Sequence, residues 1–198
     1  MGCSKTETNE ASIEAARELY IQSIATHENY KKIALRKKII RLAPNSAYGY
    51  FSKAWFIEGR GARSHKKIVK LLNKAIALDP TMTIAYYNRA ISHTALDDFE
   101  KAFEDYGQTI ELKPDYRSAY INRGVLFQEI GDHSGAIDDF DEAIRLEPDY
   151  AKGYYNRGVS YYWLNNHKLA ISDLKKTLEL DPDYYGAAEY LRSARAKK

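Results

Sequence analysis

One polar pair recurs at a fixed interval in this chain: Asn88-Arg89, Asn122-Arg123 and Asn156-Arg157. Sixteen residues after each arginine stands an aspartate: Asp105, Asp139 and Asp173. Arginine and aspartate can do two things at such a spacing. They can neutralise each other inside the fold, because an unpaired buried charge is costly. Alternatively, the arginines stand free as a row for an acidic ligand. Three internal Arg–Asp pairs, largely shielded from water, are the expectation. The asparagines suggest different chemistry. An amide both donates and accepts, so Asn88, Asn122 and Asn156 in a row could hold the backbone of an extended peptide. They could also merely accompany the arginines, and both readings stay open.

No other residues assemble into a catalytic set. There is no glycine-rich phosphate loop, no nucleophile elbow and no His-Glu-x-x-His. Neither an enzymatic activity nor a cofactor, metal or small-molecule substrate is expected. A lone cysteine, Cys3, excludes an internal disulfide. The opening "MGCSKT" fits the myristoylation pattern at Gly2, with Cys3 beside it for a second acyl chain. A bacterial lipoprotein with Cys3 as its lipidated residue is a second reading, and no lipid at all a third. The chain is accordingly expected in the cytoplasm, or on a membrane through Gly2/Cys3. No uncharged run approaches the ~18 residues of a membrane span.

The charge is unevenly spread. Across the 198 residues it is +3, yet residues 29–74 hold thirteen Lys/Arg against one acid, Glu58. Residues 79–149 hold sixteen acids against six bases. A basic end of this kind suits an anionic membrane surface or an acidic partner, and nucleic acid less well. A plain solvated face is the alternative.

The elements that must position these residues follow from the period. Residues 83–116, 117–150 and 151–184 align without insertion or loss. Each opens on a small residue and an aromatic (Ala85-Tyr86, Ala119-Tyr120, Gly153-Tyr154) and turns in the middle at Asp97-Asp98, Gly131-Asp132 or Asn165-Asn166. Each then sets Ala four residues before a large apolar side chain, and closes on Pro114, Pro148 or Pro182. Apolar residues recur at three- and four-residue steps on both sides of the turn, which predicts two antiparallel helices per tile. Such a hairpin cannot bury its apolar face alone, so neighbours must stack. Pro ends each second helix, and Ala90, Gly124 and Gly158 let the helices approach closely.

These positions resemble the tetratricopeptide repeat (TPR) family, apart from Arg89, Arg123 and Arg157 where the common pattern has Leu. The resemblance implies an all-α solenoid, a right-handed superhelix of antiparallel helix pairs. It covers 83–184 well. Upstream it weakens to an atypical repeat, 47–82, whose turn "EGRGARSH" is two residues too long, and a degenerate first pair, 11–46. A flexible tail, 1–10, would precede these, and 185–198 would form a capping helix with Ala188 and Leu191 on its apolar side. In this family the first helix of each repeat lines the concave groove. That implies a protein-interaction module, a scaffold or adaptor, binding an extended or helical peptide segment of a partner through Tyr87, Asn88, Ile91, Ile121, Asn122, Val125, Gln128, Tyr155, Asn156, Val159 and Tyr162. Of the basic residues that let some members clamp a C-terminal carboxylate, only Lys152 has a counterpart. A chaperone-tail receptor is therefore not expected. A lipid-anchored, membrane-peripheral assembly factor is the alternative function.

Overall fold

The computed structural model describes residues 4–58 and 61–197, with side chains from Asn9 onward. Gly2 and Cys3, the expected lipid sites, lie outside the described residues. The described chain is helical throughout, with no strand. Its helices are α1 (Ser4–Ala25), α2 (Asn29–Leu42), α3 (Ala47–Trp55), α4 (Ala62–Leu78), α5 (Thr83–Thr94), α6 (Phe99–Leu112), α7 (Arg117–Glu129), α8 (His133–Leu146), α9 (Ala151–Trp163), α10 (His167–Leu180) and α11 (Ala187–Ala196). Two compact units divide the chain, Met1–Asp98 and Phe99–Lys198.

Within the repeats, local chemistry sets the helix ends. Ser46, Asp132 and Asn166 each accept a backbone N–H of the following first turn, from Gly49, Gly135 and Leu169 respectively. Such caps satisfy donors that a helix start leaves open. The turn between paired helices uses one left-handed residue at a constant place: Asp97 (φ 57°), Gly131 (φ 83°) and Asn165 (φ 59°). Asp, Gly and Asn are the types that tolerate this conformation.

Each second helix buries the same two places. Leu72, Tyr106, Phe140 and Leu174 fill the large one, and Ala75, Thr109, Ala143 and Thr177 the small one. In the first unit these residues join Ala16, Leu19, Tyr20, Ile39, Phe51 and Ala54 in one core. In the second unit, one cluster forms around Phe140 and another around Leu174 and Leu191. The terminal helix departs from expectation in its register. Gly186 adopts φ 81°, and α11 starts at Ala187, two residues later than expected. Ala187, Leu191 and Ala194 are therefore buried, and Ala188 is exposed.

Candidate functional site

The recurrent arginines form forks. Arg123 on α7 reaches across to α8. Its Nε donates to Asp139 Oδ2 at 2.8 Å and its Nη2 to Asp139 Oδ1 at 2.7 Å. Arg157 on α9 does the same to Asp173 on α10, at 2.7 and 2.8 Å. Its remaining arm, Nη1, donates to Asp141 Oδ1 on α8 at 2.5 Å. Bidentate, charge-assisted pairs of this kind are the strong class of hydrogen bond. Burial opposes the charge on Arg157, but the two carboxylates outweigh it and its pKa rises. Asp139's hydrogen bonds likewise hold Arg123 above its ordinary range. Both aspartates are buried, while both arginines stay about a quarter or less exposed. Arg89 and Asp105 fall in different units. Within its own unit, Arg89 donates Nη1 to Asn73 Oδ1 at 2.8 Å.

A rule emerges from these partners. Asn73 and Asp141 each stand sixteen residues before the arginine they accept from. The same count back from Arg123 lands on Gly107, which has no side chain to offer. A Cβ built at Gly107 meets nothing within 4 Å. Gly107→Asp should therefore give Arg123 its missing second carboxylate. The expected gain is about 1 kcal/mol, from a partly exposed ion pair and the loss of a helical glycine. Urea denaturation would check it, and the gain should shrink to a few tenths of a kcal/mol when Arg123 is also replaced by Ala.

Within each unit the first-helix residues take different roles. In the first unit, Asn88 and Ile91 wall a cavity of about 200 Å³ with Phe51, Trp55, His65 and Ser92. Asn88 spends its Nδ2 on its own helix, donating to Ile84 O at 2.8 Å. Tyr87 is half-buried beside them in sequence. In the second unit, Ile121 lies inside, 2% exposed, packed in the Phe140 cluster. Asn156 is also enclosed, 7% exposed, with its Nδ2 unbonded. Beside it, the Gln128 amide crosses from α7 to donate to the Asn156 backbone carbonyl and to Ser160 Oγ, both at 2.8 Å. Gln128 thus ties two first helices together.

Tyr155 and Tyr162 face the terminal helix. Tyr155 packs on Tyr184 and Tyr190, at ring separations of 4.9 and 6.1 Å, and burial pushes its hydroxyl pKa up. Tyr162 meets Tyr190 at 5.5 Å, with the Lys197 ammonium 4.8 Å from its ring centroid. The helix α11 covers what a further repeat would otherwise cover. Asn122, Lys152 and Val159 stay half-buried, and Val125 is 37% exposed. Trp163 closes α9 at 57% exposure, stacked parallel on His133 at 6.1 Å.

The tetratricopeptide repeat family profile matches residues 83–116 and 151–184, and a second TPR profile matches 127–165. The chain is a tetratricopeptide repeat protein. No curated protein matches the TPR chain in sequence. Solved structures resemble it in fold. YrrB, described as a TPR protein with an unusual peptide-binding site, is 19% identical over 95% of this chain and 94% of its own, with a TM-score of 0.69. A crystal structure of MamA is 24% identical over 76% and 86%, with a TM-score of 0.67. The first TPR of Spaghetti (RPAP3), bound to an HSP90 peptide, is 21% identical over 60% and 94%, with a TM-score of 0.57. Among the described residues, no helix of this TPR protein is long and apolar enough to cross a membrane.

The sequence reading missed Arg36, Trp55 and His65. A signal for Arg36 existed. Pro44 and Pro80 are 36 residues apart, and 36 residues before Leu72 stands Arg36. The first repeat thus puts a guanidinium where every later second helix puts a large apolar residue.

Proposed function

We propose that the protein is an adaptor that binds a peptide segment of a partner protein along the first-helix face of its second unit. Trp163 carries this reading. It is a large aromatic left open on a helix end, and its ring is already fixed by His133 and Tyr162. Pre-ordered, solvent-facing aromatic anchors are where interface energy concentrates. Val125 and Asn122 on α7 extend the face with an apolar and an amide contact. The peptide-bound neighbour and the peptide site in YrrB's description support the same use of the fold.

The test is a pull-down from host extract with wild type and a Val125→Asp/Trp163→Ala variant. The variant should lose the captured partner by ~30-fold or more, as truncating an aromatic anchor does. Its melting temperature should stay within a few degrees, because neither side chain is buried. Equal capture by both proteins would sink the reading.

A further inference from the structure

Arg36 is an anomaly in the first unit. It is 4% exposed. Its Nε and Nη1 are sealed from solvent without any hydrogen-bond partner. Among the described residues no carboxylate pairs with it; its guanidinium lies 5.1 Å from the Phe51 ring centroid and 4.8 Å from that of Trp55. Stacking on two aromatic faces offsets part of the cost of burying the charge. It leaves the Nε and Nη1 donors unmet, which is costly in a low-dielectric site. The equivalent place elsewhere holds Leu72, Tyr106, Phe140 or Leu174, so the fold does not need an arginine there. A leucine would serve packing better.

The two rings of this sandwich also wall the cavity that Asn88, Ile91 and Ser92 complete. Trp55 is 39% exposed and forms the outer wall. In the sequence, residues 29–74 carry thirteen Lys/Arg and one acid. The charge pattern would attract an acidic segment, and the sealed guanidinium has no acceptor at Nε or Nη1.

We infer that Arg36 is the anchor of a second peptide site, which takes an Asp or Glu side chain flanked by apolar residues. The carboxylate enters beside Trp55 and accepts a charge-assisted hydrogen bond from Arg36 Nε or Nη1, the two sealed donors. An apolar neighbour fills the cavity against Phe51, Trp55 and Ile91. The site lies on a second helix, in a core position, and it differs from the first-helix face of the other unit. It rests on the reading that the protein binds peptides, and it names the chemistry of one of them.

The experiment compares wild type with Arg36→Leu in the full chain. The probes are an acetylated, amidated Leu-Glu-Phe-Glu-Leu peptide and its Gln counterpart, titrated by calorimetry. Wild type should prefer the Glu peptide. Arg36→Leu should lose that preference by ~30-fold or more, the usual consequence of removing one member of a buried charge pair. It should also melt higher, by about 3–6 °C, because an apolar residue refills the slot. A lower melting temperature would make Arg36 a structural cation and overturn the proposal. So would equal binding of the two peptides by wild type. Phosphatidylserine vesicles form a further arm: binding to them that depends on Arg36, with no binding of the Glu peptide, also overturns it. If the pull-down variant above still loses its partner in that case, the peptide-adaptor reading survives. If neither assay detects a partner, both fail.

Discussion

Arg123→Ala should cost the protein about 3 kcal/mol of folding stability, far more than an exposed surface residue normally does. The loss comes from what stays behind. Asp139 is 4% exposed, and burial already pushes its carboxyl pKa up while the Arg123 fork pulls it back. Without the fork, a carboxylate stays inside with no partner and must protonate or draw in water. Chemical denaturation measures the effect directly. Replacing both residues together, Arg123→Met with Asp139→Leu, should recover most of the loss, because apolar residues of similar volume often match a buried pair in stability. A single-mutant cost under about 1 kcal/mol would place the pair among ordinary surface ion pairs.

Gly49→Ala should be nearly as damaging, at about 3 kcal/mol, although the repeat pattern makes it look harmless. The equivalent places in later repeats are Ala85, Ala119 and Gly153, all buried. At Gly49 the connection from α2 folds directly against the helix. A Cβ there would sit 2.2 Å from Ala43 O and 2.9 Å from the Pro44 carbonyl carbon. Both are backbone atoms, so no rotamer change relieves the contact. The same connection is pinned by Ser46, whose Oγ donates to Ala43 O at 2.8 Å and accepts Gly49 N–H at 3.1 Å. Thermal unfolding of Gly49→Ala beside Ala85→Gly would check this: the first should lower the midpoint by several degrees more than the second.

The sequence reading succeeded where repetition amplified it. Three tiles of equal length located the helix pairs from α5 to α10, and the sixteen-residue offset located the Arg123 and Arg157 forks. It failed where one position is read in two contexts. Asn156 and Asn122 share a place in the pattern, yet only Asn156 has its carbonyl taken by Gln128 of the preceding first helix. Tyr155 and Tyr162 share theirs with groove positions, yet α11 ends the stack over them. Ile121 turned inward with the Phe140 cluster. Arg36 was hidden for another reason. The first repeat keeps few of the pattern's residues, so its register rests on Pro44 and on buried contacts that only the folded chain displays.

Arg157 holds three helices at once, with one hand on Asp173 and the other on Asp141. Arg123 has one hand only, because Gly107 offers nothing to grip. In a stack where each repeat touches only its neighbours, such clasps decide how many repeats must let go together. The helices α8, α9 and α10 are clasped into one block that opens as a whole. At the seam between α6 and α7 the clasp is absent, so fraying that reaches this seam can stop there. A single missing side chain thereby marks the seam at which the second unit is expected to open first.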